Sequence, residues 1–109
     1  MLFLIIYDIT NDNLRNKIAE TLKDYGLERI QYSAFIGSLP RFKLNSLIED
    51  LKKLIRDTPV KEDERVRNIQ IYPIPEMSKK RRVEINFSNG KLSVKKGEEP
   101  IKMQRVKIV

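Results

Sequence analysis

The fold of this protein is decided at residues 2–10, LFLIIYDIT. An unbroken run of apolar and aromatic side chains leads into Tyr7, and Asp8 follows directly. Such a short apolar run, rich in residues that favour pleated backbone, predicts a buried strand in the middle of a sheet covered by helices. The next residues, 10–13, suit a turn and a helix cap. Asp8 therefore stands where a central strand ends, as a functional acid or as a plain turn-former.

The composition describes a single domain of 109 residues, 40% of them hydrophobic and 34% charged. A chain of this length buries one modest core. The sequence contains no Cys and no His, so disulfides, thiolate chemistry and a histidine general base are excluded. Any bound metal must be held by oxygen atoms, which favours a hard cation such as Mg²⁺ or Mn²⁺.

Positive charge is concentrated in the second half of the chain. Residues 1–58 carry 9 basic and 8 acidic side chains, whereas residues 59–109 carry 13 basic and 7 acidic ones. This asymmetry predicts a polyanionic partner, usually nucleic acid, although a merely soluble basic surface is the alternative. The clearest candidate is the basic run Lys79, Lys80, Arg81 and Arg82. These side chains would contact phosphates independently of base sequence.

The apolar start of the chain is too short to span a bilayer, which takes about 20 apolar residues. It also lacks the basic leader and the small-residue cleavage site of a signal peptide. We therefore expect a cytoplasmic protein that has no contact with membranes.

Periodicity and breaker residues predict the order of the elements. Apolar side chains at helical spacing predict one helix from Asn11 or Asp12 to about Tyr25 and a second from Pro40 to Thr58. Alternating patterns predict strands at 29–37, 65–72 and 83–87, an Asn89-Gly90 turn, a short strand at 92–94 and a further strand at 101–109.

The second predicted strand carries an aromatic side chain on its wetter face. If residues 29–37 form one continuous strand, Phe35 lies on the same side as Gln31 and Ser33. An aromatic ring there could pack, contact another subunit or stack on a base, and the first two outcomes are the commoner ones.

This order predicts an α+β protein with the ferredoxin-like βαββαβ arrangement, in which an antiparallel sheet has two helices on one face. Residues 1–82 form the core through the start of the fourth strand. Residues 83–109 add that strand and a C-terminal tail to the same domain. Strand-forming sequence beyond a complete small sheet predicts a dimerisation arm.

One acid at a strand end does not complete the shell of a hard cation. Asp12 is the nearest other carboxylate in sequence, and its position suits a helix cap instead. A two-fold dimer would bring two copies of Asp8 together near the axis. Two carboxylates, water and a substrate phosphate could then hold Mg²⁺ for phosphodiester hydrolysis.

Several stretches together resemble the CRISPR-associated protein 2 family, over roughly residues 1–75. They are residues 4–9 (LIIYDI), 13–15 (NLR), 26–37 (GLERIQYSAFIG) and 63–74, which ends in IYPI. The resemblance implies a ferredoxin-like homodimer, paired through its C-terminal segment, with Mg²⁺-dependent endonuclease activity on RNA or double-stranded DNA.

The resemblance also implies a set of site residues. Asp8 would hold the metal, and by position Tyr7, Arg15, Arg29 and Phe35 match residues associated with activity in the family. Lys17 stands where close relatives can carry Arg; it keeps the charge but loses bidentate phosphate contact.

The same family provides a rival to catalysis. Its members also act as a non-catalytic dimeric bridge that binds the CRISPR integrase and new DNA during spacer acquisition. That role needs the dimer, the basic surface and the C-terminal tail, but not Asp8. An RNA-cleaving toxin of similar fold is a third, less favoured class.

Overall fold

The computed structural model describes residues 1–97, which form six strands, two α-helices and one 3-10 turn. In chain order these are β1 (Leu2–Ile9), α1 (Asp12–Asp24), β2 (Glu28–Gln31), β3 (Ala34–Ser38), α2 (Arg41–Asp57), β4 (Arg67–Ile74), the 3-10 turn Glu76–Ser78, β5 (Val83–Ser88) and β6 (Lys91–Lys96). The strand predicted at 101–109 lies outside the described residues.

Strands β1 to β4 form one sheet in the order β2-β3-β1-β4, and every neighbouring pair is antiparallel. Helix α1 connects β1 to β2, while β3 inserts between them, which is the split βαβ arrangement. The ferredoxin-like βαββαβ fold predicted from the sequence is therefore confirmed.

The core lies between the helices and one face of β1. Every second residue of β1 is buried, because successive side chains of a strand point to opposite faces. The side chains that form this core with β1 come from both helices and from β3: Phe3, Ile5, Tyr7, Ile9, Leu14, Ile18, Leu22, Phe35, Leu47 and Leu51. The other face of β1 carries Ile6 and Asp8, both exposed.

Helix α1 begins and ends as its sequence indicates. The side chain of Asn11 accepts a hydrogen bond from the Leu14 N–H at 3.0 Å, so Asn11 is the N-cap. Gly26 has a φ of 84° and follows the C-cap residue Tyr25, where a left-handed conformation ends the helix.

The single strand predicted at 29–37 is wrong, because this segment is a hairpin. Strands β2 and β3 are joined by a tight turn at Tyr32 and Ser33. The register shifts between Arg29 and Gln31, which makes Ile30 an extra residue on β2. The turn and this bulge place Phe35 opposite Ile5, on the helix side of the sheet.

The predicted third strand, which is β4, is longer at its C-terminal end than the predicted range of residues 65–72. Strand β4 continues through Pro73, which pairs with Phe3 of β1. Because β4 is at the edge of the sheet, the missing N–H of a proline there is tolerated.

The predicted fourth strand, residues 83–87, forms a strand but does not join the sheet. It belongs to β5, which pairs with β6 in a separate two-stranded hairpin. Asn89 and Gly90 connect these strands with φ values of 53° and 74°, as expected for the tight turn predicted there. The fourth strand of the sheet comes instead from dividing residues 28–38 into β2 and β3.

The β5-β6 hairpin presents one apolar face to solvent. Five large apolar side chains alternate along the paired strands, and each is between 52% and 73% exposed: Val83, Ile85, Phe87, Leu92 and Val94. In residues 1–97, neither helix has the length and apolar character needed to cross a bilayer.

Candidate active site

Two adjacent residues at the end of β1 point to opposite sides of the sheet. Tyr7 is 2% exposed and belongs to the core, whereas Asp8 is exposed on the face away from the helices. Asp8 pairs in register with Asn68 of β4. The carboxylate is therefore presented to solvent by the central strand, which pairs with β3 as far as Ile6 and with β4 through Ile9.

The chain after Asp8 is anchored to the start of β4. The Thr10 N–H donates to the Val66 carbonyl at 3.0 Å, and the Val66 N–H donates to the Thr10 hydroxyl at 3.1 Å. These reciprocal hydrogen bonds fix the turn that leads from Asp8 into α1.

Tyr7 ties the end of β1 to the β2-β3 turn. Its backbone N–H donates to the Ser33 carbonyl at 3.0 Å, and its hydroxyl donates to the Tyr32 carbonyl at 3.2 Å. Its ring stacks on Phe35 with 6.3 Å between the centroids. The residue that precedes the candidate metal ligand is thus held through backbone, hydroxyl and ring.

Arg29 lies against this aromatic group from β2. Its Nη2 donates to the Tyr7 hydroxyl at 3.4 Å, and its guanidinium carbon lies 5.1 Å from the ring centroid of Phe35 and 5.9 Å from that of Tyr32. A guanidinium at this distance over an aromatic face is attracted by the ring quadrupole.

Arg15 reaches the same place from α1. Its Nη1 donates to the Ile9 carbonyl at 2.9 Å, its Nη2 pairs with Asp12, and its guanidinium carbon lies 5.4 Å from the Tyr32 ring centroid. Burial lowers the pKa of Arg15, but the hydrogen bond to Asp12 and the nearby Tyr32 raise that pKa by more. Arg15 therefore places a permanent positive charge next to the residue that follows Asp8.

Four predicted site residues, Tyr7, Arg15, Arg29 and Phe35, come together in one cluster with Tyr32. Phe35 is fully buried, so its ring is part of the packing and is not available for stacking on a base. Lys17 lies elsewhere, because residues two apart on a helix do not share a face. It lines a groove between α1 and α2 together with Tyr25 and Asp50.

The side chains of the basic run at residues 79–82 differ in their contacts and exposure. Lys79 forms an ion pair with Glu28 at 3.0 Å. Arg82 donates to the carbonyls of Lys79 and Gly97, which closes the base of the β5-β6 hairpin. Lys80 and Arg81 are exposed. Lys79 and Arg82 therefore have structural partners among the described residues.

A metal ion at Asp8 would need ligands from other molecules. Within residues 1–97 no three Asp, Glu, His or Cys side chains are grouped so that they could hold a metal ion. Mg²⁺ is commonly bound through one or two carboxylates, with water and substrate phosphates completing its shell. One exposed Asp8 in each of two copies would satisfy this requirement.

Sequence reasoning did not assign a site role to Tyr32, which contacts both arginines. It also passed over Glu64 and Arg67, which join the end of α2 to the start of β4. A glutamate three residues before an arginine is a visible pairing pattern, but Tyr32 has no such local signal.

The fold and this cluster define a class of protein: a small ferredoxin-like domain with an exposed acid at the end of its first strand and two arginines that contact the residues on either side of that acid. The model of the family described as CRISPR associated protein Cas2 matches residues 1–82. The chain therefore belongs to the Cas2 family, in agreement with the resemblance found in the sequence.

Named relatives agree with this assignment, and a solved structure has a similar fold. A CRISPR-associated endoribonuclease Cas2 2 of Pyrobaculum aerophilum is 48% identical over 56 residues, covering 51% of this chain and 62% of the relative. A CRISPR-associated endonuclease Cas1/endonuclease Cas2 fusion of Thermoproteus tenax is 43% identical over 56 residues, covering 51% of this chain and 21% of the fusion.

The chain thus aligns with less than two thirds of the length of these relatives. The crystal structure of a hypothetical protein, TT1823 from Thermus thermophilus, superimposes with a TM-score of 0.55 at 27% sequence identity. The match covers 84% of this chain and 93% of that protein.

Proposed function

We propose that this protein is a homodimeric, metal-dependent endonuclease that hydrolyses phosphodiester bonds of RNA or double-stranded DNA. It would act in the cytoplasm, in CRISPR spacer acquisition, together with the CRISPR integrase. The observation that carries the proposal is the exposed Asp8 carboxylate at the end of the central strand, between Tyr7, which Arg29 contacts, and Ile9, which Arg15 contacts.

Each residue of the cluster has a defined part in this proposal. Asp8 would hold Mg²⁺ or Mn²⁺, which lowers the pKa of bound water and neutralises charge on a phosphate. Arg15 and Arg29 would add positive charge at the end of β1, through their contacts with Ile9 and Tyr7. Tyr7 holds the strand end in place through its hydrogen bonds to the β2-β3 turn.

Exposed apolar surface supports the homodimer. Ile6 and Tyr72 are 41% and 46% exposed, and both lie on the Asp8 face of the sheet. The apolar face of the β5-β6 hairpin is a second such area. Contiguous apolar surface of this kind is rare on monomers. A second copy that covers the sheet face would bring its own Asp8 near the first.

The test is a nuclease assay on the wild type and on Asp8→Asn, with and without a chelator. Because Asp8 is exposed and unpaired with any core residue, the substitution should leave the fold intact. We expect Asp8→Asn and chelation each to lower the rate by about a hundredfold or more. Asp63→Asn, an exposed acid in the loop before β4, is the matched control. Equal residual activity in Asp8→Asn and wild type would contradict the proposal.

A second candidate function is a non-catalytic bridge between the integrase and protospacer DNA. The fusion protein of Thermoproteus tenax supports this partnership, because its name joins Cas1 and Cas2 in one chain. Spacer acquisition in cells that carry Asp8→Asn separates the two functions. Undiminished acquisition would favour the bridge, whereas its loss, with the dimer and DNA binding intact, would favour catalysis.

A further inference from the structure

We propose that Tyr32 is a positioning residue of the candidate nuclease site, whose ring holds the guanidinium groups of Arg15 and Arg29 in place beside the end of β1. The inference rests on the proposed function, because it assigns those two arginines to the site. Tyr32 would not contact the substrate; it would act through the two cations.

The ring of Tyr32 is contacted by two cations from different elements. The Arg15 guanidinium comes from α1 and the Arg29 guanidinium from β2, with centroid distances of 5.4 Å and 5.9 Å. Two like charges that converge on one place repel each other. An aromatic ring offers negative potential on its faces, so a single side chain attracts both groups.

The ring also offers negative potential to two guanidinium groups whose Nε atoms lack a hydrogen-bond acceptor. The Nε atoms of Arg15 and Arg29 are buried and have no hydrogen-bond partner within the described part of the chain. Without the ring these groups would be drawn towards water, because a buried unpaired donor is costly. The Tyr32 ring therefore adds to the hydrogen bonds that Arg15 makes with Ile9 and Asp12 and that Arg29 makes with Tyr7.

The backbone of Tyr32 is fixed to the same strand end. Its carbonyl accepts from the Tyr7 hydroxyl, and the neighbouring Ser33 carbonyl accepts from the Tyr7 N–H. The ring is thus mounted on a turn that is anchored one residue before Asp8. The Tyr32 hydroxyl is buried and makes no hydrogen bond of ordinary geometry within residues 1–97, although its proximity helps to raise the pKa of Arg15. A variant that keeps the ring and removes the hydroxyl separates the two contributions.

The kinetic test compares Tyr32→Phe with Tyr32→Leu. Loss of the ring should lower kcat by about 10- to 100-fold and change KM much less, because the arginines remain but are misplaced. Tyr32→Phe keeps the ring and should restore kcat to within about twofold of wild type. Tyr25→Leu removes a tyrosine in the groove between the helices and is the control. Equal losses in both Tyr32 variants, or no loss in Tyr32→Leu, would overturn the inference.

A spectroscopic test does not depend on nuclease activity. In NMR spectra of the wild type, the Nε–H proton of Arg15, identified by comparison with Arg15→Lys, should be shifted by the Tyr32 ring current. The shift should vanish in Tyr32→Leu and persist in Tyr32→Phe, whereas Arg29 should keep part of its shift through Phe35. An unshifted Arg15 signal in the wild type would refute the positioning role even if Tyr32→Leu failed to fold.

The two tests separate this inference from the proposed function. Arginine signals that behave as expected in a wild type without nuclease activity would count against the nuclease alone. An active nuclease whose arginine signals ignore Tyr32 would count against the positioning role alone.

Discussion

At the scale of single residues, Arg67 joins three parts of the chain. Its guanidinium donates to the Ile55 carbonyl at 2.6 Å and to the Thr58 carbonyl at 2.8 Å, both at the end of α2. It also pairs with Glu64, whose side chain is only 3% exposed. A buried cation that satisfies helix carbonyls positions the start of β4, and therefore Asn68 beside Asp8.

This pair makes stability depend on pH. The hydrogen bond from Arg67 holds the pKa of the Glu64 carboxyl below its usual value of 4.5. A depressed folded-state pKa contributes stability above the unfolded-state pKa, and this stability is lost as pH falls through the folded-state pKa. The melting temperature of wild type should therefore exceed that of Glu64→Gln at pH 7, and the difference should shrink below pH about 4.

The control for this experiment is Glu62→Gln, an exposed glutamate in the same loop. Its melting temperature should follow that of wild type across the whole pH range. A difference between wild type and Glu64→Gln that stays constant down to pH about 3 would contradict the assigned role of the pair.

Asp8 and Tyr32 show what single residues reveal in a sequence. Asp8 could be singled out because it interrupts an apolar run at a predictable place, the end of a strand. Tyr32 could not, because its importance comes from Arg15 and Arg29, which lie on separate elements and meet it only in the folded chain. Phe35 was placed on the wrong face, because the turn at Tyr32 and Ser33 and the bulge at Ile30 reverse the face it occupies; packing, one of the two outcomes favoured for its ring, is what the structure shows.

At the scale of elements, β3 packs closely against the chain before β2. A Cβ built on Gly37 would lie 2.5 Å from Leu27 Cδ2 and 3.2 Å from Leu27 Cα. Gly37→Ala should therefore destabilise the protein by about 1–3 kcal/mol, measured by urea unfolding. The same substitution in a Leu27→Ala background should cost less, because the closest clashing atom is absent. Equal costs in both backgrounds would show that Leu27 is not the obstacle.

The hairpin of β5 and β6 allows a sharp test of dimerisation. Ile85→Lys places a charge on the exposed apolar face and should convert a dimer to a monomer in analytical ultracentrifugation. Because Ile85 is 63% exposed within one chain, the melting temperature extrapolated to low concentration should change little. Ser93→Lys adds the same charge to the other face of the hairpin and is the control. A dimer that survives Ile85→Lys would remove this face from the interface.

The ends of the strands could be predicted from the sequence where residues with a strong turn preference stand there. The turn between β5 and β6 was found because Asn-Gly favours positive φ at both positions. The turn between β2 and β3 was not found, because Tyr-Ser carries no turn signal and the bulge at Ile30 accommodates it instead. Strand β4 was cut short at Pro73, since only its edge position makes a proline acceptable there.

At the scale of the whole molecule, the excess positive charge lies in the C-terminal half of the chain. The basic side chains there differ in whether they are exposed or bonded within the chain. Arg81 is exposed, whereas Arg82 is half-buried and bonds the carbonyls of Lys79 and Gly97. Arg81 and Arg82 are adjacent and carry the same charge, so each serves as a control for the other. One is available to a phosphate and the other maintains the hairpin.

We expect Arg81→Gln to weaken nucleic-acid binding on all sequences and to lower the salt-dependence slope by about 0.7–0.9. Arg82→Gln should instead lower the thermal stability of the hairpin, because two carbonyls lose their donor. Binding titrations between low and moderate salt, alongside thermal melts, distinguish the two effects. An unchanged slope in Arg81→Gln would exclude that side chain from the phosphate contacts.

The alternation of side chains along β1 also constrains how this molecule can vary. Sliding the strand by one position would drive an acid into the hydrocarbon interior and eject a tyrosine into water. A chain in which β1 is shifted by one residue would therefore fail to form the core and would not fold. We therefore expect related proteins to lack insertions or deletions of a single residue in β1 before Tyr7. Insertions or deletions of two residues keep the alternation of faces and could be tolerated.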